Sequence, residues 1–126
     1  MKIKRKGWLV LGLAVAIVVL AGLAFVYLSP RDPFFHSRAF SSEQWVKGDS
    51  HIRGEMAYDL RASKLLDGKT HAQVEALLGP PDVAGTNELS YRVDVGYRWM
   101  GSPWLYDLRV RFDPASNIVH YVDLRD

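Results

Sequence analysis

GKTHAQVEALLGPPD, residues 68–82, describes a short helix with both ends written into it. Thr70 and Gln73 have the spacing of a capping box, in which each side chain takes up a backbone N–H that the first helical turn leaves without a partner. Val74, Leu77 and Leu78 recur at helical spacing and make one apolar face. Gly79 supplies a left-handed C-terminal residue, and Pro80 and Pro81 forbid continuation. The same stretch opens with Gly68-Lys69-Thr70, the end of a phosphate-binding loop, but that reading fails on its mechanics. A phosphate loop needs a second glycine five positions earlier and bare backbone amides between, whereas Ser63, Lys64, Leu65, Leu66 and Asp67 stand there. No nucleotide site is expected.

Downstream, the hydrophobic period changes from 3.6 to 2. Leu89, Tyr91, Val93, Val95, Tyr97 and Trp99 alternate with polar residues and Gly96. Trp104, Tyr106, Leu108, Val110 and Phe112 alternate next with Leu105, Asp107, Arg109 and Arg111, and Ile118, His120, Val122 and Leu124 with Val119, Tyr121 and Asp123. Each strand has one apolar face, as in an antiparallel sheet covered on one side. Residues 100–103 and 113–117 are links of hairpin length. Upstream, Ser41-Ser42-Glu43 opens a brief helical turn carrying Trp45. A longer helix is expected from about His51 to Leu65, with Ile52, Met56, Ala57 and Leu60 inward and Arg53, Glu55, Asp59 and Arg61 outward. The expected fold class is α+β, an N-terminal transmembrane helix followed by a two-layer sandwich of two helices on a three-stranded antiparallel sheet.

Lys2, Lys4, Arg5 and Lys6 precede a charge-free run over residues 7–28. As a helix that run spans about 33 Å, enough for a hydrocarbon core of roughly 30 Å. Its cationic flank predicts an N-terminus in the cytoplasm and an outward-facing remainder, a single-pass inner-membrane topology. The alternative is a signal peptide, cleaved near Gly22 and Ala24, and a secreted product. The chain thus divides into a basic stub and anchor (1–28), a linker with Pro30 and Pro33 (29–40) and one small domain (41–126). The linker reaches at most about 40 Å, so the domain stays near the bilayer.

Sixteen Lys and Arg face fourteen Asp and Glu in the whole chain, but four of the cations precede the apolar run. The outward part therefore holds twelve cations against fourteen carboxylates, a net of −2. That balance gives nucleic-acid binding no electrostatic footing. Cysteine is absent, which excludes disulfides, thiolate metal sites and cysteine nucleophiles.

The pattern of Gly68, Thr70, Val74, Leu77, Leu78, Gly79, Pro81 and Asp82, followed by Leu108, Val110, Phe112 and Asp113, resembles the SmpA/OmlA (BamE-type) domain. The resemblance covers roughly residues 65–126. It implies an ααβββ arrangement of the β-lactamase-inhibitor-protein-like kind and a non-enzymatic role, in which envelope lipoproteins support assembly of outer-membrane β-barrels by binding partner proteins and phospholipid. Those proteins are anchored by a lipidated cysteine after a Leu-Ala-Gly-like box. Here Leu20-Ala21-Gly22 is followed by Leu23, so lipidation there is impossible and the chain is expected to remain a single-pass inner-membrane protein.

The four histidines are His36, His51, His71 and His120. Only His120 falls in an inward strand register, where a buried side chain bonded to Ser90 or Tyr91 is expected rather than a base. No pair has helical metal-ligand spacing. No catalytic residue, metal or cofactor is expected, and the chain is not read as an enzyme. Tyr97, Trp99, Met100, Pro103 and Trp104 gather aromatic and flexible apolar groups around one hairpin tip. They are the candidate partner-binding residues, since aromatics and Met are enriched in interface cores. The competing account is that Trp99 and Trp104 close the end of the sheet against the helices. The function expected is a membrane-anchored cell-envelope protein whose outward domain binds a protein partner as an accessory or assembly subunit. The alternatives are an inhibitor or immunity-like protein acting on an extracytoplasmic enzyme and, third, a small hydrolase or ligand binder.

Overall fold

The computed structural model describes residues 4–126, so Lys2 of the cationic stub lies outside the described residues. The order is α1 (Arg5–Leu28), α2 (Ser42–Lys47), α3 (Ser50–Ala62), α4 (His71–Leu78), β1 (Val83–Ala84), β2 (Glu88–Trp99), β3 (Ser102–Phe112) and β4 (Val119–Arg125). The four strands form one antiparallel sheet in the order β1-β2-β3-β4. The fold is α+β, as the change of period implies, with one more helix and one more strand than expected.

α1 is long and apolar enough to cross a membrane, and a signal sequence meets the same description. None of its described residues is buried by the rest of the chain.

The three later helices begin on side-chain caps. The Ser41 side chain accepts from the Gln44 N–H, and Asp49 accepts from the Ile52 N–H. At α4 the capping box is complete, with Thr70 N–H donating to Gln73 Oε1 at 2.9 Å and Gln73 N–H to Thr70 Oγ1 at 3.3 Å. Removing such a cap costs about 1 kcal/mol. Thr70→Ala should therefore lower unfolding stability in urea by about that amount, and an unchanged midpoint would show that the cap contributes nothing.

Gly79 takes φ 74 and ψ −170, a positive-φ extended conformation rather than the expected left-handed helical one. Essentially only glycine adopts it. The chain then leaves α4 extended through Pro80-Pro81. Asp82 latches it to β2, donating its N–H to Ser90 O and accepting the Arg92 N–H at 2.6 Å on Oδ2. This latch creates β1, whose two residues are too few for an alternating pattern to announce.

The core lies between α2, α3, α4 and the inner face of the sheet. It includes Trp45, Met56, Leu60, Val74, Leu78 and, from the sheet, Leu89 to Val95 in alternation, Leu108 and Val110. Trp45 packs edge-on against Tyr91 at 6.1 Å between centroids. The Tyr91 hydroxyl donates to Gly79 O at 2.9 Å, tying the sheet to the end of α4. Burial pushes this phenol up from its ordinary value of 10.0, with the Glu75 carboxylate adding to the shift. Because the folded value is the higher one, the contribution of Tyr91 is complete below pH 10 and is lost as pH rises beyond it. Stability should fall less steeply above pH 10 in Tyr91→Phe than in the native chain, in circular-dichroism titrations. The same variant should be less stable at pH 7 by about 1–3 kcal/mol, since Gly79 O loses its donor.

α3 stops at Ala62, earlier than expected, because Lys64 adopts φ 55 and breaks the helix. Leu66 is fully buried beyond the break, while Leu65 is exposed. β4 carries a second correction. Arg111 pairs with Tyr121 and Phe112 with Val119, so His120 is an unpaired extra residue, a β-bulge. The bulge reverses the alternation across it. Val119 is buried instead of Ile118, and Val122 and Leu124 keep their inward places.

Candidate functional site

The linker is not a free tether. Glu55, expected on the outer face of α3, is 3% exposed. Its Oε2 accepts the His36 N–H at 2.8 Å, its Oε1 meets Arg38 Nη2 at 2.6 Å, and its backbone O accepts the Arg38 N–H. One turn later Asp59 Oδ2 accepts the Phe40 N–H at 2.8 Å. The i, i+4 carboxylates that look like a repulsive pair in the sequence are thus the two teeth of a clamp on residues 36–40. They hold the linker by its backbone N–H groups at His36 and Phe40.

Further back, the linker completes the sheet. Two β2 residues beyond the regular register lie between Asp94, which faces Leu105, and Arg98, which faces Pro103. β1 covers only Leu89 and Ser90 of β2, and residues 30–32 pair with the strand farther along. Asp32 N–H donates to Gly96 O at 2.7 Å, Arg98 N–H donates to Pro30 O at 2.8 Å, and Arg31 bridges to Tyr97 with its guanidinium 5.1 Å from the ring. Gly96, at φ 90, leaves room for the Phe35 ring, which a Cβ would approach to 2.7 Å. Of the linker aromatics, Phe35 and Phe40 dock and Phe34 stays exposed.

These contacts bring the β2–β3 turn to the end of α1. Arg98 Nη2 donates to the Val26 carbonyl, and the Tyr27 ring rests where a side chain at Gly101 would be. The turn itself is Met100-Gly101, both at positive φ (51 and 82), the two-residue hairpin that usually takes Asn-Gly. Holding methionine there costs about 1–2 kcal/mol, which argues that the side chain is wanted at the tip.

All five sequence candidates sit in this region. Trp99 is 70% exposed, Met100 58% and Trp104 49%. Pro103 is also exposed, and only Tyr97 is half-buried. The account in which Trp99 and Trp104 seal the sheet against the helices is therefore corrected. α3 meets β2 at Asp94, and the tip lies five residues and more beyond that crossing. A cleft of about 270 Å³ lies beside it, lined by Pro30, Tyr97, Arg98, Trp99, Trp104 and Asp126 among others.

His120, expected inward and bonded to Ser90 or Tyr91, is exposed on the bulge. Ser90 Oγ donates to Glu88, and Tyr91 is committed to Gly79. With Arg111, Phe112, Tyr121, Thr86 and Glu88, His120 lines an open cleft of about 550 Å³ at the opposite end of β2 from the tip. His71 Nδ1 lies 3.6 Å from Glu75 Oε1, and His51 has two acidic neighbours. Its Nδ1 lies 3.4 Å from the buried Asp94 Oδ2 and its Nε2 3.7 Å from Glu55 Oε2. With both ring nitrogens turned to carboxylates, neither is presented to a substrate. Among the described residues no three His, Asp or Glu side chains gather in a way that suits a metal ion.

No model of a known protein family matches this chain, and neither a curated protein nor a solved structure does.

Proposed function

We propose that this chain is a non-catalytic, single-pass protein of the bacterial cell envelope, anchored in the inner membrane by α1, whose outward domain binds a protein partner as an accessory or assembly subunit. The observation that carries this reading is the splice between domain and anchor. A domain that needed only a tether would hang from a loose linker. Here residues 30–32 are paired into the sheet, residues 36–40 are clamped on α3, and Arg98 and Gly101 meet the end of α1. The domain's orientation to its anchor is fixed, which suits a module that presents one surface to a partner at the membrane. The resemblance of residues 65–126 to the SmpA/OmlA (BamE-type) domain supports the same reading.

Photoreactive side chains placed at position 87, beyond the start of β2, and at position 100 in the turn test the proposal in cells at native expression. A discrete protein adduct, identified by mass spectrometry, is expected from at least one of the two positions. Absence of any protein adduct from both positions would sink the reading.

A further inference from the structure

This inference rests on the reading that α1 crosses the membrane. We propose that the β2–β3 turn is a second membrane contact, with Trp99, Met100 and Trp104 lying in the headgroup layer of the leaflet from which α1 emerges. The domain would then stand on the bilayer at two points instead of swinging from one.

The depth follows from α1 itself. Trp8 and Tyr27 are nineteen residues apart, about 28 Å along a helix, which matches the roughly 30 Å of a hydrocarbon core. Trp and Tyr collect at the two membrane–water boundaries, so Tyr27 marks the outer one. The Gly101 backbone lies against the Tyr27 ring, which sets the turn at that same level. Arg98, one residue before Trp99, holds the Val26 carbonyl, so strand and helix cannot separate without losing a charge-assisted hydrogen bond.

The chemistry of the tip suits that depth. Indole rings have an apolar body and one N–H, and methionine is flexible and polarisable. Pro103 has no N–H to leave unsatisfied. Arg31, exposed and stacked on Tyr97, carries a guanidinium that can meet phosphate. In water alone, three large apolar side chains at half to seven-tenths exposure on one turn, one of them held at positive φ, would be a liability. Against the interface they gain burial without any protein partner.

The native chain has no cysteine, which makes a label test clean. Met100→Cys, Asn117→Cys and Ile17→Cys, each in the full chain, carry a nitroxide and are reconstituted in vesicles of phosphatidylethanolamine and phosphatidylglycerol. Collision of the label with dissolved oxygen and with a water-soluble nickel chelate reports its depth. The label at position 17 should be shielded from nickel, that at 117 open to it, and that at 100 several-fold less accessible to nickel than 117 while open to oxygen. Trp99→Ser with Trp104→Ser, both at exposed positions, should return the label at 100 to the accessibility of 117. Equal accessibility at 100 and 117, with 17 shielded, overturns the proposal and leaves the anchor standing. Nickel reaching 17 overturns the anchor and the proposal together. A label at 100 immobilised and shielded from both reagents places it against protein, a second copy, and overturns the lipid contact.

Discussion

Gly54→Ala is expected to unfold the domain. Helix propensity alone predicts the opposite, since alanine in a helix interior is about 1 kcal/mol better than glycine. At this point α3 crosses β2 so closely that an added Cβ would overlap the carbonyl oxygen and carbon of Asp94. Those are backbone atoms, which cannot rotate away as a side chain can. Relief requires the helix to move off the sheet, taking Met56, Ala57 and Leu60 out of the core and breaking the position of His51 against Asp94. Overpacking of this kind costs about 1–3 kcal/mol where neighbours yield, and a rigid neighbour raises it to the order of 4 kcal/mol or more. That is most of the stability of a small domain. The change of sign makes the measurement decisive, because a midpoint of urea unfolding equal to or above the native one would mean that α3 and β2 do not approach in this way.

Glu55→Ala should release the linker. The substitution deletes the acceptor of the His36 N–H and leaves Arg38 without its carboxylate. Breaking a buried pair costs about 3–5 kcal/mol. Arg38 is 41% exposed and recovers water, so a loss of roughly 2–4 kcal/mol is the expectation. Hydrogen exchange at residues 36–40 should rise much more than exchange at the Tyr91 amide in the sheet. Glu43→Ala provides the contrast, for its pair with Lys47 is exposed on both sides and should contribute little. If the two variants behave alike, the clamp is not what holds the linker to α3.

The legible parts of this fold were those whose cause is local. Thr70, Gln73, Gly79 and the two prolines delimit α4 through backbone hydrogen bonding and allowed dihedrals, which a window of fifteen residues contains whole. Alternation located β2 and β3 for the same reason. Where alternation misled, in β4, the fault lay in one unpaired residue, His120, because a period of two has no memory across a bulge. Glu55 was misplaced because helical periodicity scores a carboxylate as outward, and its burial depends on donors supplied nineteen and seventeen residues earlier. The composition of the hairpin tip was evident, but its exposure was not. Whether Trp99 and Trp104 are covered depends on how far the helices extend along β2.

By itself, then, the sequence determined the apolar N-terminal helix, the capped α4, the strand-rich second half and the absence of cysteine chemistry. Each of these is set by composition or by interactions within a few residues. Tertiary structure alone decided that the linker is part of the sheet and that Glu55 and Asp59 are its clamp. It also decided that the aromatic turn meets the end of α1 at Tyr27 and Val26. These contacts join residues more than seventy positions apart. They rest on backbone pairing along an edge of β2 that the two-residue β1 leaves uncovered, and nothing in the spacing of side chains along one strand encodes which distant backbone will fill such an edge.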